Sequence, residues 1–149
     1  MLAVFAAAAN TAELSMEQRV LTPGKPVTLD LKLADGTDAP TGIQFDLEYD
    51  PASLDVTIEA GPAAKQAGKS LQSAKLQPGR QRALIIGFNK NMISDGVLAI
   101  LHVSYKGQES GKTFPIHITG ASGTDQRAEP VAVTGKDGGV TVEIGRNAQ

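Results

Sequence analysis

Cysteine and tryptophan are both absent from this 149-residue chain. Without cysteine there is no disulfide framework, no zinc–thiolate or iron–sulfur site and no cysteine nucleophile. Without tryptophan, and with aromatic residues at 4%, the exposed rings on which sugars stack are scarce. Neither sign of charge dominates: the formal net charge is −2, and no basic stripe of the kind used against nucleic acid is present. No apolar run reaches the roughly 20 residues that a membrane-spanning helix needs. What the chain has instead is punctuation. Sixteen glycines and eight prolines are scattered along its length, the composition of a turn-rich β protein. The length suits one domain, which at this size buries roughly 70% of the surface its unfolded chain exposes.

The first nine residues, Met1 to Ala9, are uniformly apolar. They resemble the end of a signal-peptide apolar region, with Ala7-Ala8-Ala9 fitting a small-x-small cleavage site. The expectation is a leader or signal remnant over 1–11, a domain over 12–145 and a tail over 146–149, in an exported or cell-surface bacterial protein. An N-terminal strand or short helix packed on the domain is the alternative.

From Val27 onward, period two dominates. Val27, Leu29, Leu31 and Leu33 alternate with Thr28, Asp30 and Lys32. Ile43, Phe45, Leu47 and Tyr49 alternate with Gln44, Asp46, Glu48 and Asp50, and Pro51 stops that strand. Leu54, Val56 and Ile58 follow, then the rows beginning at Val97, Phe114 and Val140. Segments 13–20 and 71–76 are weaker strand candidates, and Ala63 to Lys69 suits one helical turn. About nine short strands with turn signals between them predict an all-β sandwich.

The strand 82–88 breaks the pattern. Arg82-Ala83-Leu84-Ile85-Ile86-Gly87-Phe88 is apolar on both faces. Either both faces are covered, or one is a flat apolar surface awaiting a partner. With Leu84, Ile86 and Phe88 inward, the exposed patch would be Ala83, Ile85 and Gly87.

Chemistry is sparse. His102 and His117 have no ligand spacing to each other or to an acid, and read as surface residues. Asp46, Glu48 and Asp50 place carboxylates on one strand face, but no cleft or aromatic platform accompanies them, and on an exposed face they stay ionised. Asp35-Gly36-Thr37-Asp38 could lend oxygens to calcium, although turn chemistry explains the same residues more simply. There is no Gly-x-Ser-x-Gly elbow. Lys136-Asp137-Gly138-Gly139 reads as a turn into the last strand. No catalytic residue, metal site or cofactor is expected.

Several features in fixed order resemble the cohesin domain family. These are Leu21-Thr22-Pro23-Gly24-Lys25-Pro26-Val27, the strand Gly42 to Pro51 ending in Tyr49-Asp50-Pro51 with Leu54 beyond, Ile58-Glu59-Ala60-Gly61, the apolar strand 82–88, Ile93-Ser94-Asp95-Gly96-Val97-Leu98, and Gly138-Gly139-Val140-Thr141-Val142. The resemblance implies a nine-stranded jelly-roll β-sandwich that binds protein, the family's partner being the calcium-loaded dockerin module of cellulose-degrading complexes. It puts the docking face on strands 41–49, 71–76, 82–88 and 113–119. The implied contact residues are Gln44, Asp46, Glu48, Lys75, Ala83, Ile85, Gly87, His117 and Thr119. Ala67-Gly68-Lys69-Ser70 and Gly87-Phe88-Asn89-Lys90-Asn91 look more like lone, non-cellulosomal cohesin-like domains. Polysaccharide binding is the alternative function. Tyr49 and Tyr105 both have inward parity, which argues against it. A passive structural domain and an enzyme rank below.

Overall fold

The computed structural model describes residues 11–35 and 39–143. The expected leader (apart from Thr11), residues 36–38 of the Asp35–Asp38 loop with the calcium site considered there, residues 144 and 145, and the 146–149 tail lie outside the described residues.

The chain builds eleven strands and one short helix: β1 Thr11–Met16, β2 Gln18–Leu21, β3 Val27–Asp35, β4 Gly42–Glu48, β5 Leu54–Ala60, α1 Pro62–Gln66, β6 Ser70–Gln77, β7 Arg80–Ile86, β8 Gly96–Tyr105, β9 Thr113–Thr124, β10 Pro130–Lys136 and β11 Gly138–Val142. Pairing runs β5-β8-β3-β1-β10-β9-β4-β7-β6, with β11 between β2 and β9. The result is a near-closed jelly-roll sandwich. Its end strands β5 and β6 approach each other without pairing.

Two of the strand breaks share one cause. β1 and β2 are separated by Glu17 alone, and β10 and β11 by Asp137 alone. β1 pairs in parallel with β10, and β2 in parallel with β11. At Glu17 and Asp137 the first and last segments cross together from one sheet to the other. Counting each broken segment once turns eleven strands into the expected nine. Lys136-Asp137-Gly138-Gly139 is therefore not a turn; the chain runs straight through it. A Cβ on Gly138 would lie 2.4 Å from the Glu17 carbonyl oxygen, and one on Gly139 2.5 Å from that of Phe114. Only glycine lets the backbones cross this closely.

The core lies where the alternating rows meet. Leu29, Leu31 and Leu33 of β3, Leu54 and Val56 of β5, and Leu101 and Val103 of β8 line one side; Ile43, Phe45 and Leu47 of β4 and Ile116 and Ile118 of β9 line the other, all buried. β8 departs from simple alternation. A bulge opposite Leu31/Lys32 lets Leu98 and Ala99 both be buried, and leaves Val97 half-buried. Helix α1 packs on this strand and buries Ala63 and Ala64, the helical turn expected near 63–69.

The parity of β7 is the reverse of the expectation. Ala83 and Ile85 are 1% and 0% exposed, while Leu84 and Ile86 face outward. Hydrophobicity could not decide this strand, but pairing does. Ile85 lies opposite Ile43, and Ala83 opposite Phe45. Directly opposed residues point to the same side of a sheet, so the clear parity of β4 fixes that of β7. Gln81 follows inward, where its Nε2 donates to the Val56 carbonyl at 2.9 Å and to the Tyr49 hydroxyl at 3.0 Å.

Candidate docking face

Strands β9, β4, β7 and β6 lie side by side, and their outward side chains fall into cross-strand layers. His117, Glu48 and Arg80 form the first layer; Thr119, Asp46, Arg82 and Ala74 the second; Ser122, Gln44, Leu84 and Gln72 the third. Beyond them Ile86 pairs with Ser70 and stands 3.6 Å from where a Gly42 Cβ would be. The face thus grades from charged at one end to apolar at the other.

The charged end is a closed network. Asp46 is only 1% exposed because two guanidinium groups cover it. Arg82 donates from Nε at 2.8 Å and from Nη2 at 3.1 Å; Arg80 donates from Nε at 3.1 Å and from Nη2 at 2.9 Å. The Arg82 hydrogen bond, opposed by burial and reinforced by Arg80, holds the Asp46 carboxyl below the ordinary aspartate range. Glu48 accepts a hydrogen bond from Thr119 Oγ1 at 2.8 Å. His117 Nδ1 lies 2.8 Å from an Asp137 carboxylate oxygen, whose partner oxygen accepts from the Ile118 N–H at 2.9 Å.

The apolar end is flat. Leu84 lies between two shallow depressions of about 220 and 230 Å³, one beside Gly42 and Ile86, the other beside Ala74 and Leu76. Both fall short of the roughly 300–1,000 Å³ typical of small-molecule sites. Ile86 is 41% and Leu76 47% exposed.

The structure brings together Gln44, Asp46, Glu48, His117 and Thr119 on this face. It does not bring the other four expected residues there. Ala83 and Ile85 belong to the core. Gly87 points to the same side, where a Cβ would meet the Gly68 carbonyl oxygen at 2.7 Å. Lys75 lies opposite the inward Gln81 and lines a separate cleft of about 480 Å³ with Tyr49, Asp55 and Lys106. The residues missed are Arg80, Arg82, Leu84 and Ile86. A signal existed: outward Asp46 and Glu48 demand cations opposite them, and Arg80 and Arg82 are two apart on the next strand.

Other expectations also change. Asp50 leaves the strand face and caps the following turn, accepting from the Ala52 N–H at 3.0 Å and Ser53 Oγ at 2.8 Å. Both histidines are at the surface, as expected, yet each has an acid partner: His117 pairs with Asp137, and His102 with Glu59 on the opposite sheet. Sequence spacing could not reveal these, because both partners come from other strands. Tyr49 and Tyr105 are half-buried against the core, and Tyr105 contacts Phe114 ring to ring at 5.5 Å. Among the described residues, no group of three His, Cys, Asp or Glu side chains could hold a metal ion.

Fold and face together define a jelly-roll β-sandwich with a broad layered surface on one sheet. Residues 14–142 match the sequence pattern of the Cohesin domain family, and the chain belongs to that family. None of the curated proteins compared with the chain matches it. Solved structures share the fold at low identity. The sixth cohesin of Acetivibrio cellulolyticus scaffoldin B, in complex with a dockerin, is similar with a TM-score of 0.78 and 23% identity over 89% of this chain and 99% of that one. The OlpA cohesin of Clostridium thermocellum, also in complex with a dockerin, gives 0.78 and 17% over 90% and 100%. A non-cellulosomal cohesin of the archaeon Archaeoglobus fulgidus gives 0.73 and 13% over 89% and 91%.

Proposed function

We propose that the outer face of β9, β4, β7 and β6 docks a dockerin-type protein module, and that the domain is a non-catalytic receptor exposed outside the cell. The observation that carries this is the grading of that face. A flat apolar end bordered by fixed polar groups is the anatomy of a non-obligate protein interface. Membership of the cohesin family and the dockerin complexes formed by similar structures support the same partner class. A role in polysaccharide breakdown would follow from what the docked partner carries. Direct polysaccharide binding has less support, since both tyrosines are half-buried against the core and there is no tryptophan.

The adjacent isoleucines of β7 provide the experiment. Ile86→Asp alters only the outer face, so it should abolish binding to a dockerin-type partner with little change in Tm. Ile85→Asp places a charge in the core and should cost at least about 4 kcal/mol of stability. Unimpaired binding by the folded Ile86→Asp variant would remove this face from the interface.

A further inference from the structure

Three oddities meet at one end of the face. Phe88 is 112% exposed, as open as an isolated side chain. Lys69 is 5% exposed, and burial pushes the pKa of its ammonium group down. Its hydrogen bonds go to a carbonyl and an amide oxygen: Nζ donates to the Asn89 backbone oxygen at 3.0 Å and to Asn89 Oδ1 at 2.6 Å. Asn89 Nδ2 in turn donates to the Ala67 carbonyl at 3.2 Å, and Asn91 Nδ2 donates to the same oxygen at 3.1 Å. Two glycines allow the approach. A Cβ on Gly68, whose φ is +73°, would lie 2.8 Å from Asn89 Nδ2, and one on Gly87 2.7 Å from the Gly68 oxygen. The segments 67–70 and 87–91 are thereby clasped together.

A buried ammonium is costly to fold around, and an exposed phenyl ring gains nothing from the fold itself. The clasp fixes the backbone on both sides of Phe88, so the ring stands on a rigid base. Ordering a loop during association weakens binding, whereas a loop ordered beforehand does not. Phe88 lies two residues beyond Ile86, the last residue of β7, in the bend that the clasp holds at the apolar end of the face.

We propose that Phe88 is the apolar anchor of the docking face, that the Lys69–Asn89 clasp positions it, and that the dockerin-type partner carries an apolar recess for its ring. This rests on the docking reading above and adds the feature that selects among such partners. Lys69 is a positioning residue that acts through Phe88.

The probe is the set of dockerin-type modules encoded by the source organism, titrated against the full chain. Phe88→Ala should weaken binding by roughly thirtyfold or more, the scale of an interface hot spot, with Tm unchanged. Lys69→Met, or Asn89→Ala should that variant fold poorly, should weaken binding in the wild-type background and have no further effect in the Phe88→Ala background. Binding of Phe88→Ala within about twofold of wild type, while Ile86→Asp abolishes it, overturns the anchor and leaves the docking reading standing. Equal losses from the clasp variants in both backgrounds overturn the positioning role. Failure of every dockerin-type module to bind the wild-type chain overturns the docking reading, and the anchor with it.

Discussion

Asp46 carries the most concentrated chemistry in the molecule. It is a buried carboxylate on an outer face, neutralised by two half-exposed arginines. Asp46→Asn removes the acceptor charge while keeping the shape, and should cost about 1.5–3 kcal/mol, the range for hydrogen bonds to a charged group. The pH dependence follows from the direction of its shift. Its folded pKa lies below the unfolded value of about 3.9, so its stabilisation is complete above that value and is lost as pH falls through the folded one. Urea titrations should show a constant gap between wild type and Asp46→Asn from neutral pH to about pH 5, shrinking below about pH 4. A gap that widened on acidification would contradict the arginine clamp. Asp46 also marks what the sequence could reveal about single residues. Its outward parity was plain from Phe45 and Leu47 on either side. That it is buried was not, because the covering groups come from the next strand.

Among the elements, legibility followed the clarity of alternation. β3, β4, β5 and β9 each have one apolar row, and their parity could be read directly. β7 is apolar on both faces, so its parity depended on a pairing partner that no local pattern identifies; this is why Ala83 and Ile85 were expected outside. β6 has no clean alternation, so its parity also depended on its partner; Lys75 was expected on the outer face, but it lies opposite the inward Gln81. β10 went unread because Pro130 and Gly135 look like loop punctuation. The sheet crossing at Asp137 was likewise hidden, since Gly138-Gly139 reads as turn punctuation as well as a close backbone approach. That crossing yields a prediction at this scale. Gly138→Ala forces a Cβ against the Glu17 carbonyl and must separate the first and last segments. Thermal melts should show a drop in Tm of several degrees, the response of a domain this size to a loss of about 2 kcal/mol. An unchanged Tm would mean that the crossing can relax without cost.

For the whole molecule, the ordered residues from Leu21 to Val142 identified the family, while period two alone reached only an all-β sandwich. The composition of the candidate face was half legible. The polar residues of β4 and β9 were found, whereas the arginines and the apolar row of β7 were not. The corrected face has a direction, charged at Arg80 and apolar at Ile86, which a face built on Ala83 and Ile85 would lack. The central claim is that this face, and not the opposite sheet of β5, β8 and β3, receives the partner. Titrating the isotope-labelled chain with a dockerin-type module and following its backbone amide resonances tests that most directly. The account predicts shifts concentrated at Gln44 to Glu48, Gln72 to Leu76, Arg82 to Asn89 and His117 to Thr119. Shifts concentrated instead at Thr28 to Lys32, Asp55 to Glu59 and Ile100 to Ser104 would contradict it.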